Sequence, residues 1–224
     1  MSIPTFVNFG TYNEITSSTN TPALPTGRVN GNLLIAWCHN IGSTILTLSV
    51  SAGWTIFTSV LNDGAHAHAM VLAYAYVTGS ETAPTFTSTA VETLDASVLQ
   101  YSGTLSSNPI GAIASNFNLG ASTTITCPAI ITTAANSLAL NYQTLDSPGP
   151  SGWVAETAYG VGTFLASDMG EPTPRSTAGP TSVTASTSNY DVFTFELMSQ
   201  LPAPGFGGGS TATIIRTRDG GFQW

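Results

Sequence analysis

Thr21-Pro22-Ala23-Leu24, a short polar connection and the apolar run Leu33-Leu34-Ile35-Ala36-Trp37 return later in the chain. There they read Cys127-Pro128-Ala129-Ile130, a similar connection and Leu138-Ala139-Leu140-Asn141-Tyr142. Working outward, the correspondence continues. Gly53-Trp54 matches Gly152-Trp153, and the Gly/Ala-studded stretch Ala69 to Val77 matches Val161 to Met169. The hydroxyl-rich Phe86 to Thr89 matches Val183 to Thr187, and Leu94 to Tyr101 matches Tyr190 to Met198. The offset is roughly 100 residues, far beyond the roughly 20–50 of solenoid repeats and close to the size of one β-sandwich.

The expected fold is therefore all-β: two tandem, internally duplicated β-sandwich modules of jelly-roll or Ig-like type, residues 1–106 and 107–201. The junction falls in the turn-rich run Ser102 to Pro109. Whether the copies pack as separate domains or as one pseudo-symmetric sandwich is open at this level. Residues 202–224 have no counterpart inside the repeat. Pro202-Ala203-Pro204-Gly205-Phe206-Gly207-Gly208-Gly209-Ser210 is a linker by composition. It leads to a strand-like piece with Ile214, Ile215, Arg216 and Arg218, then Phe222 and Trp224. These six residues are the expected oligomer or capsid contacts of a docking arm that adds a strand or inserts aromatic side chains.

Period-2 alternation supports strands throughout. Leu46, Leu48 and Val50 share one face, as do Phe193, Phe195 and Leu197, with Val192, Thr194 and Glu196 opposite. Between Ala65 and Val77 a large face (His66, His68, Met70, Leu72, Tyr74, Tyr76) backs a small one (Ala67, Ala69, Val71, Ala73, Ala75, Val77). Such a strand suits a place where another layer approaches closely. No window carries a capped helical stripe, and the Gly and Pro residues punctuate the chain at strand-connection spacing.

Charged residues are only 7% of the chain while hydrophobic residues are 42%. Lysine is absent, and the basic residues are Arg28, Arg175, Arg216 and Arg218. A formal charge of −8 opposes phosphate-backbone binding, which needs clustered cations; no nucleic-acid partner is expected. No apolar run reaches the roughly 20 residues of a membrane helix, and Met1 to Phe6 shows no secretory signal pattern. Neither a membrane partner nor export is expected. Cys38 and Cys127 do not occupy matching points of the repeat, so two buried thiols are the simpler reading.

Little in the chain points to chemistry. His66-Ala67-His68 would direct two imidazoles to one side of a strand, a chelating spacing that lacks local further ligands; His39 and Asp63 are the nearest candidates. A pair of interface histidines is the plainer reading, so no metal site and no cofactor are assigned. The carboxylates are scattered, there is no G-x-S-x-G elbow, and the glycine run lacks the lysine of a phosphate loop. No catalytic residue is assigned, and an enzyme is not expected. Trp37 could offer a sugar-stacking face, and with His66 and His68 it is a possible ligand or interface residue. Trp54 and Trp153, repeated at the entry to a strand, read as core plugs.

Several strings together resemble a group of tailed-bacteriophage virion proteins: Asn30 to Ala36, Ser51-Ala52-Gly53-Trp54-Thr55 and Ala73 to Glu81. Pro84-Thr85-Phe86-Thr87, Leu99-Gln100-Tyr101-Ser102-Gly103 and Cys127 to Leu138 belong to the same pattern. The resemblance covers most of Met1 to Leu201 and not the tail. It implies a non-enzymatic particle component with a β-sandwich fold, assembled in the host cytoplasm and located in the virion. The expected role is a head decoration or cement protein that binds and stabilises the capsid as a homo-oligomer, a trimer foremost. Its partners would be itself and the major capsid or other virion proteins. The alternative is a tail- or fibre-associated adhesin that recognises host-surface glycan.

Overall fold

A computed structural model describes residues 3–41, 48–61, 69–118, 124–125, 128–134, 136–143, 154–159, 163–169, 176–177, 183–184 and 190–200. Every regular element among them is a β-strand, and every pairing is antiparallel. The first seven strands are β1 (Thr5–Phe9), β2 (Asn13–Asn20), β3 (Leu33–Ile41), β4 (Leu48–Val50), β5 (Thr55–Leu61), β6 (Ala69–Tyr76) and β7 (Phe86–Ser102). They form one sheet in the order β1-β7-β3-β6-β5, with β2 and β4 also paired to β7.

The 17-residue β7 is the spine of this sheet. Its stretches Phe86–Thr89 and Leu94–Tyr101, separate strands in the sequence reading, are continuous because no Gly or Pro lies between Phe86 and Ser102. One edge of β7 pairs first with β2 and then with β1; the other pairs with β4 and then β3. β1 and β2 thus act as one strand interrupted at Gly10. A side chain at Gly10 would collide with the Ala23 carbonyl, while the Gly10 amide donates to Val98 O at 2.7 Å. Only glycine fits so close an approach.

The remaining strands are β8 (Ile110–Asn118), β9 (Thr124–Ile125), β10 (Ile130–Ile131), β11 (Leu138–Gln143), β12 (Val154–Tyr159), β13 (Thr163–Met169), β14 (Ser176–Thr177), β15 (Val183–Thr184) and β16 (Tyr190–Leu197). Five of them make a second sheet, ordered β12-β13-β11-β16-β8, while β10 pairs with β14 and β9 with β15. Set β8 against β1, β16 against β7, β11 against β3, β13 against β6 and β12 against β5, and the two large sheets have the same order. Leu33–Trp37 and Leu138–Tyr142 then lie on corresponding strands.

Both faces of β3 are buried, which explains its unbroken apolar run. Leu34, Ala36 and Cys38 join the small face of β6 (Ala69, Val71, Ala73, Ala75) with Trp54, Leu48, Phe86, Leu94 and Val98 in one cluster. The opposite face, with Leu33, Ile35, Trp37, Met70, Leu72, Leu99 and Tyr101, meets Leu138, Leu140, Tyr142, Phe193, Phe195 and Leu197 of the second sheet. The two sheets therefore share a core, and the large and small faces of β6 both look inward, onto different layers. Trp37 and Tyr142, at corresponding positions, meet there with ring centroids 5.2 Å apart.

The connection between the sheets is stitched down by backbone bonds. Leu105 N donates to Met198 O at 2.9 Å, Met198 N to Pro109 O at 2.8 Å and Gln200 N to Gly103 O at 2.7 Å. Thr104 and Ser199 form an isolated antiparallel bridge.

Buried Gln100 on β7 sits where neither amide atom finds a hydrogen-bond partner. An unpaired buried amide costs about 1–3 kcal/mol, which an apolar side chain of similar length avoids. Gln100→Met is expected to leave stability unchanged or raise it by about 1 kcal/mol. Denaturant unfolding checks this, and a clear loss of stability would contradict it.

Candidate functional site

Four places among the described residues combine chemistry with shape, and the open margin of the shared core is the most accessible. There β5 and β6 of the first sheet overhang β8 of the second. Thr55, Phe57, Tyr74, Asn108, Pro109, Ile110, Gly111 and Ile113 line a groove of about 370 Å³. Its floor is aromatic: Phe57 lies 5.2 Å from Phe195 and 6.3 Å from Tyr74, centroid to centroid. Phe57, Tyr74 and Ile110 pack only partly into the shared core. Ile113, opposite Phe195 in the β8–β16 ladder, remains 39% exposed. Among the described residues no ionisable acid or base other than the Tyr74 phenol lines this groove, and that lining suits an apolar segment better than acid–base chemistry.

A second groove, of about 350 Å³, lies at the end of the first sheet between Trp54, Tyr76, Thr78, Ser80, Glu81 and Thr82. Trp54 is only 8% exposed, and its indole N–H donates to Thr82 O at 3.1 Å, as a core plug would. The Tyr76 hydroxyl donates to Leu105 O at 2.7 Å, and burial, with Tyr74 nearby, pushes its pKa up to about 12. Glu81 caps the turn. Burial would raise its pKa, but the Thr78 and Gly79 amides and the Arg28 guanidinium at 2.6 Å outweigh that and hold it at about 2. Both aromatic polar ends and the carboxylate are thus already engaged within the fold.

The third place is polar and buried. His39 on β3 and Asp95 on β7 are register partners, with Nδ1 to Oδ2 at 4.0 Å. Tyr12 lies beside them and donates to Glu14 Oε2 at 3.0 Å. Burial, then Asp95 and Glu14, raise the Tyr12 pKa, and burial with Asp95 raises that of Cys38. A phenol and a thiol held protonated are poor nucleophiles, and His39 and Asp95 are almost without solvent contact. The arrangement suits a buried structural contact better than a reacting centre.

The fourth is a carboxylate cradle. Glu196 on β16 is fully buried and accepts from the amides of Ala112 (3.0 Å), Thr133 (2.8 Å) and Ala134 (3.0 Å) and from the Thr133 hydroxyl (2.9 Å). Gly111 provides the room, since a side chain there would strike the carboxylate. Burial alone would raise its pKa, yet these donors and Ser137 bring it below the ordinary value. Glu196 ties β16 to β8 and to the turn after β10. Its partner in the other sheet, by ladder position, is Gln100. There Asn8 Nδ2 instead bonds the Thr26 carbonyl at 2.6 Å, reaching from β1 to the following loop.

Of the residues singled out from sequence, Trp37 lies fully buried between the two sheets, against Tyr142 and Tyr12. It contributes to an interface, but an internal one, and it has no face to offer a sugar. His66 and His68 fall outside the described residues, as do Asp63, Trp153, Cys127 and the arm residues Ile214, Ile215, Arg216, Arg218, Phe222 and Trp224. Cys38 is a buried free thiol. No group of three or more His, Cys, Asp or Glu among the described residues could hold a metal ion. The groove and the Glu196 cradle were missed from sequence, since both are assembled from residues far apart in the chain. Comparison with protein families, curated proteins and solved structures finds no match.

Proposed function

We propose that this chain is a non-enzymatic structural component of a bacteriophage virion, a capsid decoration or cement subunit that binds the head surface as a homo-oligomer, a trimer foremost. The observation that carries this reading is the make-up of the outer strands. Val7, Phe9, Ile15, Ile56 and Val91 are exposed on β1, β2, β5 and β7. Between them lie threonines bonded to one another, Thr16 to Thr93 at 3.1 Å and Thr21 to Thr85 at 3.0 Å. Apolar and neutral hydroxyl groups cost little to bury against another protein, whereas each unpaired charge would cost a great deal.

The same proposal takes the fold as a gene-level duplication of one β-sandwich module followed by a contact arm, residues 202–224. The matching strand orders of the two large sheets and the placement of Leu33–Trp37 and Leu138–Tyr142 on corresponding strands support it. The adhesin alternative draws support only from the Trp54–Tyr76 groove, whose polar ends are already engaged. The test is to mix purified protein with emptied or expanded capsids of the parent phage. A fixed copy number per capsid is expected. Scattered sub-stoichiometric binding, or binding confined to the tail tip, would rule the decoration role out.

A further inference from the structure

We propose that the groove between β5 and β8 is the seat of the chain's own residues 211–218, with Ile214 and Ile215 set against Phe57, Tyr74, Ile110 and Ile113. The groove is the unfinished margin of the core shared by the two sheets. On the side of β1, Ile3, Phe6 and Tyr12 pack against that core. At the β5–β8 margin Phe57, Tyr74 and Ile110 pack against it only in part, and Ile113 beside them stays exposed.

The path of the chain leads to this margin. Met198 N bonds the carbonyl of Pro109, itself a groove residue, so the described chain ends at Gln200 beside the rim. The ten residues 201–210 can extend over up to about 35 Å. A seven-residue strand such as β5 measures about 23 Å. The Gly-rich linker is therefore long enough to turn back and lay Thr211 to Arg218 along the groove. Among the described residues β5 and β8 each end a sheet, and a sheet edge is where an extended segment adds as a further strand. A short flexible tether gives a segment a local concentration of order millimolar, which makes even a modest apolar contact populated. Seating 211–218 leaves Phe222 and Trp224 beyond the groove for a neighbouring subunit. The inference stands apart from the virion role, because completing a core does not require a capsid.

The experiment uses the full chain with Cys127 replaced by Ser, carrying Ile113→Cys with either Ile214→Cys or Ile215→Cys, and a short bismaleimide. Val91→Cys, exposed on the outer layer, replaces Ile113→Cys as the control. Near-complete cross-linking within one chain for the Ile113 pairs, and none for the Val91 pairs, is expected. Equal yields for both, or none with thiols shown to be reactive, would overturn the proposal. Cross-links only between copies would overturn the own-chain assignment and give the groove to a neighbour's arm. Capsid binding measured on the same variants separates this result from the virion reading.

Discussion

Trp37→Ala is expected to lower the stability of the whole protein by about 3–5 kcal/mol, the usual cost of removing a buried Trp, and to loosen both sheets together. Trp37 is fully buried and touches Tyr142 across the sheet–sheet boundary, with Tyr12 beside it. The cavity left by the indole would open between layers, where neither sheet can collapse without moving the other. A domain-size protein retains only about 5–15 kcal/mol in total, so the variant should unfold at far lower denaturant than the parent. Guanidinium unfolding followed by circular dichroism checks the magnitude. A loss below about 1 kcal/mol would mean that the indole is not enclosed as described.

Glu196→Gln is expected to cost about 3 kcal/mol, because bonds from N–H donors to a charged carboxylate contribute about 1.5–3 kcal/mol each. The substitution turns an amide NH₂ toward donors that have no other acceptor in the cradle, the amides of Ala112, Thr133 and Ala134. The pH dependence follows from the lowered folded-state pKa of Glu196. Its contribution is complete above the unfolded value, about 4.3 for a free glutamate, and is lost as pH falls from there through the lower folded value. The parent should therefore lose stability over that acid window, and Glu196→Gln should show a flatter acid limb. Urea midpoints measured as a function of pH for both proteins decide it; parallel acid limbs would contradict the cradle.

Much of the fold can be read in the chain before its structure is seen. The paired runs Leu33–Trp37 and Leu138–Tyr142 mark strands, and the small and large faces around Met70 foretell a close layer. What the pattern cannot decide is the direction in which each face looks. Period 2 is the same for a strand buried on one side or on both, and β3 and β6 are buried on both. β7 reads as two strands because Phe86–Thr89 and Leu94–Tyr101 match separate pieces of the repeat, Val183 to Thr187 and Tyr190 to Met198, yet here the chain runs through without a break.

The site was harder to see, for physical reasons. Glu196 looks like any exposed-face carboxylate on an alternating strand. Its donors are main-chain N–H groups 62 to 84 positions away, which carry no side-chain signature. Gly111 is the one local hint, a glycine needed for space and not for a turn. Trp37 drew attention as an aromatic platform, but the apolar run around it was better evidence for burial. The groove takes residues from β5, β6 and β8, and only contact between sheets creates it.

The claim on which the account rests is that the two large sheets are halves of one cooperative body. Strand-resolved hydrogen exchange on the parent and on Trp37→Ala tests it most directly. Common slowest exchange for β3 and β11, falling together in the variant, is the predicted result. Exchange that quickens in β3 while β11 keeps its protection would contradict a shared core.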